Sequence, residues 1–381
     1  MHQMELWQQF LEQEVLPLRN SKIQELHTYY VRHRQEIVQG IVPLFDAFCE
    51  RVRLQQEQGE LQACSTLHVS LMRTRLNQGD PAYMLYASDR YREGEMPASG
   101  FLYDASWIYR YMEQWFEECE SSRKRYMNRI DQVALHAWQT GQLYPFHVYM
   151  VHAVRYAMDD IRKLDSFQNL NKDIEFEVRV GEFQDHEVTE SVYRMNGMQR
   201  SSITCKGWLE SKLTSEYIYE HIASVDLTQG DYGEIDFNYA RFEEVKLSGS
   251  HMEETSLLGT RFMRCQCDHV NFGETLLYDV DFRGCDLRKA RFDGALGGRD
   301  TFVDTHGLFY GMNGVRFQGA NLNHASFRYC KIAGDFTGAQ LEQVDFTGAD
   351  LAGSQMLVQD RFRVQLTAEQ RAAIEWVEKN S

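Results

Sequence analysis

Three cysteines and a few histidines are the first residues in this chain whose types and spacing could do chemistry. Cys265 and Cys267 form a C-x-C, and Cys285 follows Cys265 by twenty residues. Such thiolates can bind zinc, but a tetrahedral site needs four donors. No second C-x-C and no nearby pair of histidines completes the set. His147 and His152 lie five apart on a predicted helix, whereas zinc ligands on one helical face are four apart. His136, near Trp138, has no acidic partner within reach along the chain. The nucleophile elbow, the phosphate loop, the dinucleotide fingerprint and the H-E-x-x-H motif are absent from the sequence. The reading is therefore that no residue is singled out as catalytic, that no metal or cofactor is expected, and that the balance leans against an enzyme without settling it.

Composition narrows the class. The chain has 381 residues, a formal charge of −16 and 43% hydrophobic residues. That suits a folded protein of two or three domains. It argues against holding nucleic acid directly, because phosphate binding needs a surplus of Lys and Arg. The start, MHQMELWQQFLEQE, lacks a basic segment followed by an apolar run, and no stretch approaches 18 apolar residues. Eight cysteines in this length are not a disulfide framework. A cytoplasmic protein with reduced thiols and no membrane segment is expected.

The elements that would position these residues fall into two halves with different periods. Residues 1–200 read as a mainly helical α+β domain. Trp7, Phe10, Leu11 and Val15 recur at helical steps, as do Ile23, Leu26, Tyr30, Ile37 and Val38. Gly40 and Pro43 are expected to break this helix before Leu44, Phe45 and Phe48 begin another. Asp104 precedes a helix carrying Trp107, Ile108, Met112, Trp115, Phe116 and Cys119, and helices follow over 133–140 and 146–164. Ile174, Phe176, Val178 and Val180 alternate as a strand, and so do Leu67, Val69 and Leu71. Trp7, Trp107, Trp115, Trp138, Tyr83 and Tyr86 either fill the core or line a groove. Residues 201–222 read as a linker and a helix near 206–222 with Leu209, Leu213 and Tyr217.

From Ala223 the period becomes five. Large apolar residues stand at Leu227, Tyr232, Phe237, Phe242, Leu247, Met252, Leu257 and Phe262, and the row continues to Phe292. After a disturbed patch it resumes as Phe302, Met312, Phe317, Leu322, Phe327 and Ile332, loses one residue, and runs on from Phe336 to Met356. Two residues before each centre lies a small or β-branched side chain, such as Ala240, Val245, Ala290 or Ala320. Internal repeats of this kind define an architecture. The units Ala320-Asn321-Leu322 and Ala349-Asp350-Leu351 resemble the pentapeptide repeat family, as do the near copies Val225-Asp226-Leu227 and Val344-Asp345-Phe346. The resemblance covers residues 223–358 and implies a solenoid, a right-handed quadrilateral β-helix with four units to a turn. One inward row would then read Phe242, Phe262, Phe282, Phe302 and Leu322. Cys265, Cys267 and Cys285 would all face the dry core, where Cys acts as a small hydrophobe. The aspartates ahead of the centres, among them Asp226, Asp231, Asp236, Asp281, Asp286, Asp335, Asp345 and Asp350, would bond turn amides. Residues 359–381 are expected to form a C-terminal cap helix, entered through Thr367-Ala368-Glu369-Gln370 and carrying Ala373, Ile374, Trp376 and Val377. It covers the last coil, so that the protein is a monomer, or pairs two copies as a homodimer.

One patch breaks the period. Gly297 and Gly307 occupy centre positions, and residues 294–300 are glycine-rich. A loop protruding there makes Arg299, Asp300, Asp304 and His306 the candidate partner contacts. The leading function is an interaction or scaffold protein that docks a protein partner on a rigid rod. The resemblance implies an alternative, a bacterial DNA mimic that modulates or protects DNA gyrase. Residues 223–358 hold 20 acidic and 12 basic residues. Duplex DNA of the same length, roughly 31 Å, would carry about 18 charges. An enzyme with an unrecognised site in residues 1–200 is the third reading.

Overall fold

In the computed structural model the chain forms two compact units, Met1–Arg194 and Met195–Ser381. The structure describes residues 2–90, 100–127, 129–183, 185–196, 200–213, 217–298, 302–303, 309–310 and 314–378. Among them no helix is long and apolar enough to cross a membrane.

The first unit begins with α1 (His2–Phe10), which passes through a π-turn at Leu11–Val15 into α2 (Leu16–Glu57). The expected break at Gly40 and Pro43 does not occur, and Pro43 lies inside α2. An internal proline costs about 3 kcal/mol. Ile37, Val38, Ile41, Phe45, Phe48, Cys49 and Val52 form one buried stripe across it. Each such side chain contributes roughly 1.5–3 kcal/mol on burial, so the stripe outweighs the proline. Next come β1 (Cys64–Leu71), α3 (Arg73–Leu76), β2 (Ala82–Asp89), β3 (Phe101–Asp104) and α4 (Ser106–Arg125). They are followed by α5 (Gln132–Thr140), α6 (Tyr144–Ile161), α7 (Asp165–Gln168), β4 (Lys172–Glu182) and β5 (Asp185–Asn196). The strands form one sheet in the order β3-β2-β1-β4-β5. β1 runs parallel to β4, with Val69 opposite Val180, and antiparallel to β2, with Val69 opposite Leu85. α2 packs on α4 and α6. Trp115, Tyr83 and Tyr86 are core residues, and the Trp115 indole donates to the Val15 carbonyl at 3.1 Å. Trp7, Trp107 and Trp138 are half-buried.

The second unit opens with α8 (Ser202–Glu210), capped by the Ser201 hydroxyl, which accepts from the Thr204 amide. The expected continuation to Ile222 fails. Lys212 takes a left-handed backbone, Leu213 is 45% exposed, and Tyr217 drops into the core beside Cys205 and Leu209. A parallel coil then starts at His221–Ala223. Ladder partners lie twenty residues apart and sort into four rows. Row one pairs Arg241 with Arg261 and Arg261 with Asp281. Row two runs Asp226, Lys246, Gln266, Asp286; row three Asp231, His251, Asn271, Arg291; row four Asp236, Ser256, Leu276, Leu296. Each partner precedes an inward centre, and Phe242, Phe262 and Phe282 stack with ring centroids 4.8 and 4.7 Å apart.

The expected row Phe242, Phe262, Phe282, Phe302, Leu322 is wrong beyond Phe282. Phe282 stacks on Phe317 at 5.5 Å, and its amide donates to the Arg316 carbonyl. Leu322 instead continues row two above Leu287. Row four meanwhile proceeds from Gly297 to Ile332. The chain therefore leaves the coil after Gly297 and rejoins it at Val315, and between these points Phe302–Val303 pairs antiparallel with Phe309–Tyr310. The excursion is a multiple of five residues long, so it preserves the phase of the repeat while changing the row. Val315 fills the space at Gly297, where a Cβ would meet its Cγ2 at 2.6 Å.

The C-terminal segment also departs from expectation. After a 3-10 turn at Val358–Asp360, α9 spans only Ala368–Ala373, with Thr367 and Gln370 forming a capping box. Ile374 is extended, and Glu375–Val377 is a strand parallel to Gln355–Leu357, with Trp376 opposite Met356. Trp376 thus takes the next place on row one, where a ladder and a packing partner both exist.

Replacing Phe282 by Ala should cost about 3–5 kcal/mol, the usual loss for a buried Phe. Denaturant unfolding of the second unit checks this, and a loss below ~1 kcal/mol would place Phe282 outside the core.

Candidate interaction faces of the coil

The aspartates ahead of the centres are built into the coil. Asp226, Asp231, Asp236, Asp281, Asp286, Asp335, Asp345 and Asp350 each accept from the backbone amide two residues on, at 2.9–3.3 Å. Several also hold arginines. Asp281 meets Arg283 at 2.8 Å and Arg316 at 3.2 Å, Asp286 meets Arg288 at 2.6 Å, and Asp345 meets Arg328 at 3.1 Å. Burial pushes the Asp281 carboxyl up, but Arg283 and Arg316 together hold it below the usual carboxylate range. The bond from Arg288 lowers Asp286, and the Thr347 hydroxyl lowers Asp345.

The three cysteines face inward and are buried. The thiols of Cys265 and Cys285 lie 3.3 and 3.2 Å from the carbonyls of Phe242 and Phe262. Burial pushes Cys265 up to about 11, and raises Cys267 and Cys285 as well, which favours the protonated thiol at all three. Arg299, Asp300, Asp304 and His306 lie outside the described residues.

The outermost residue of each unit, two places after the centre, adopts a left-handed backbone, as at Ser224, Gln229, Glu234 and Tyr239. Its amide donates to the coil above, as Glu234 does to Glu253 at 2.9 Å. These corner residues therefore stack in columns. The column beside row three holds Glu234, Glu254 and Glu274, with Glu253 adjoining; all four are exposed. Among the described residues none has an ion-pair partner, whereas the carboxylates of Glu243, Glu244, Asp281 and Asp286 are matched by arginines. The column ends at the next corners, Gly294, Tyr329 and Gly348. Sequence reading counted acidic residues without sorting them by corner, and so missed this column. The five-residue count alone could have found it.

In the first unit, His147 on α6 is buried, and its Nδ1 lies 2.7 Å from the Tyr83 hydroxyl, which lies 2.8 Å from that of Tyr109. Burial lowers His147 to about 4 and raises Tyr83. A separate cleft of about 240 Å³ is lined by Phe48, Arg51, Gln55, Leu85, Tyr86, Ala87, Gly100 and Phe101, not by these three. His152 is half-buried and His136 exposed.

With this geometry in place, comparison with known proteins assigns the second unit its class. The pentapeptide repeat region model matches residues 235–306, and the pentapeptide repeats model (8 copies) matches residues 332–356. Residues 235–356 thus carry pentapeptide repeats, and no family match covers the N-terminal part. No curated protein matches the chain. Among solved structures, full-length QnrB1, a plasmid-mediated fluoroquinolone resistance protein, aligns at 17% identity over 36% of this chain and 74% of its own, with a TM-score of 0.24. HetL, a pentapeptide repeat protein involved in heterocyst differentiation regulation in Nostoc sp. strain PCC 7120, aligns at 14% over 38% of this chain and 93% of its own, with a TM-score of 0.12. A thylakoid lumen pentapeptide repeat protein of Arabidopsis thaliana aligns at 14% over 44% and 77%, with a TM-score of 0.14. At these scores none carries an argument about what this chain does.

The two units should respond differently to acid. His147 is neutral when folded and takes a proton on unfolding, so its contribution is full above the unfolded pKa near 6.5 and is lost as pH falls toward 4. The lowered Asp281, Asp286 and Asp345 stabilise above their unfolded value near 3.8 and lose that contribution only below it. Melting followed by hydrogen exchange should show the first unit weakening between about pH 6.5 and 4 and the coil only below about 4. His147→Gln should flatten the first of these slopes; an unchanged slope would contradict this assignment.

Proposed function

We propose that this protein is a non-enzymatic scaffold that docks a basic surface of a protein partner along the corner column Glu234, Glu254 and Glu274. The carrying observation is that these carboxylates stand unmatched while other rows neutralise theirs with arginine. Stacked at ~4.8 Å, like charges repel one another, and a cationic partner relieves this and is steered by it. A rigid repeat coil suits such docking. The coil is read here as the right-handed quadrilateral form, in a bacterial cytoplasmic protein. Arg299, Asp300, Asp304 and His306 are proposed as further contacts, a reading that the interruption of the five-residue period in this part of the sequence supports.

The same column favours a second reading, mimicry of duplex DNA toward gyrase. Its length speaks against it. Three corners span roughly 10 Å, where duplex DNA carries about six charges, and the column then ends at Gly294.

The test is capture of partners by full-length protein and by the triple variant Glu234→Lys, Glu254→Lys, Glu274→Lys. A partner that is held by the native chain, released by added salt and lost with the variant is the expected result. Equal retention by both would overturn the column as the docking edge. Inhibition of gyrase supercoiling that the variant relieves would transfer the column to the DNA-mimic reading.

A further inference from the structure

The last turn of the coil is covered on three of its rows. From Met356 to Trp376 the chain spans another twenty residues, the length of a regular coil, but the middle of that stretch is a 3-10 turn and α9 rather than repeats. Row one is continued by the strand Glu375–Val377, whose first amide donates to the Ser354 carbonyl at 2.9 Å. Over rows three and four, the buried Gln370 side chain of α9 donates to the carbonyls of Phe346 and Ala349 at 2.8 and 2.9 Å. Phe346 and Leu351, the centres beneath, are 2% and 1% exposed.

Row two differs. Its earlier centres Leu227, Leu247, Cys267, Leu287 and Leu322 are all fully buried, but its last centre, Leu341, is only partly covered, as is Ala339 on the small row. Every earlier unit of this row uses the same ladder. Leu322 donates to the Gln340 carbonyl at 2.9 Å, His324 to the Glu342 carbonyl at 2.8 Å, and the Gln340 amide donates to the Ala320 carbonyl at 2.9 Å. One coil on, the equivalent groups are the amides of Leu341 and Gln343 and the carbonyl of Ala339. Among the described residues none of the three has a partner; the last amides of rows three and four, those of Phe346, Gly348, Leu351 and Gly353, are open too, but there the centres are covered, so it is at row two that open groups and a partly bare centre coincide. Above them lies a cleft of about 520 Å³, lined by Asn323, Gln340, Leu341, Gln343, Gln359 and Arg363 among others. Its volume falls in the ~300–1,000 Å³ range of binding pockets.

We propose that this cleft receives an extended peptide segment of a partner protein, added as a strand parallel to row two. The open groups dictate the occupant. Two amide donors two residues apart, with one carbonyl acceptor before them, match what an extended backbone offers in the parallel sense. The partly bare Leu341 calls for an apolar residue opposite it, and Ala339 for a small one two places earlier. The amide side chains of Asn323, Gln340, Gln343 and Gln359, with the charges of Glu342, Asp360 and Arg363 among them, suit polar flanks. The chain itself supplies the precedent at row one, where its own Glu375–Val377 joins the end of the ladder in the same way. Strand addition at open edges is a general mode of peptide recognition. This end site is separate from the corner column and does not depend on it.

The test uses a labelled synthetic peptide with the sequence of residues 318–324, Gln-Gly-Ala-Asn-Leu-Asn-His, which is a natural row-two unit of this coil. Fluorescence anisotropy with the full chain should show saturable binding. Hydrogen exchange should show the amides of Leu341 and Gln343 slowed at least about tenfold by the peptide, the effect of occupying most sites. The same peptide carrying Leu322→Asp should bind at least about tenfold more weakly, since its charge would face an apolar floor. On the protein, Leu341→Asp should have the same effect with little change in melting; if that variant fails to fold, the altered peptide still decides. Three results would overturn the proposal. They are no saturable binding, binding that leaves both amides exchanging as before, and protection of these amides by self-association without peptide, which would make a second copy the occupant.

Discussion

At regular five-residue steps the coil turns a corner, and where another coil follows the corner residue's amide typically bonds a carbonyl in it, as from Glu234, Glu254 and Glu274. At Glu234, Glu254, Glu274 and their equivalents this demands a left-handed backbone from non-glycine residues, which costs about 1–2 kcal/mol each. The strain persists because the same turn drives one large side chain inward, where Phe242, Phe262, Phe282, Phe317 and Phe336 stack ring on ring. Corner and core are therefore one constraint. It forces every outward side chain into a column and leaves the coil with ladder ends that must be covered. Both proposed sites are consequences. The carboxylate column is what the corners present along the side, and the row-two cleft is where the covering of the end is incomplete.

The same constraint explains which residues cannot do chemistry. Cys265 and Cys285 are stacked by the twenty-residue register, as a metal site would require, yet that register points both thiols at backbone carbonyls inside the core. The aspartates ahead of the centres look like a functional series and are turn supports, each holding the amide two residues on. What remains free to act is the minority of side chains that the ladder does not employ.

Much of this was legible in the sequence, for physical reasons. A five-residue period reports the inward rows directly, because an inward residue of the wrong type opens a cavity or buries a charge. The period cannot report an excursion whose length is a multiple of five. That is why Phe302 was assigned the place that Phe317 holds, and Leu322 the wrong row. In the first unit, Ile174–Val180 alternates and was read as a strand, whereas β2 has neighbours on both sides and is buried almost throughout, so it has no alternation to read. Pro43 misled for the opposite reason: local propensity spoke for a break, and a buried stripe seven residues strong overruled it. The open amides of Leu341 and Gln343 have no sequence signal, since they depend on where the C-terminal segment passes.

The claim on which the rest depends is that the coil is continuous from Gly297 to Phe317 across the inserted residues. Excision of 299–313 tests it most directly, because it restores a five-residue step between these two positions. If the account is right, the shortened protein unfolds cooperatively with a midpoint equal to or above that of the full chain, as expected when a connection between two parts of the coil is shortened. Loss of cooperative unfolding in the second unit would show that those residues belong to the coil, and would contradict it.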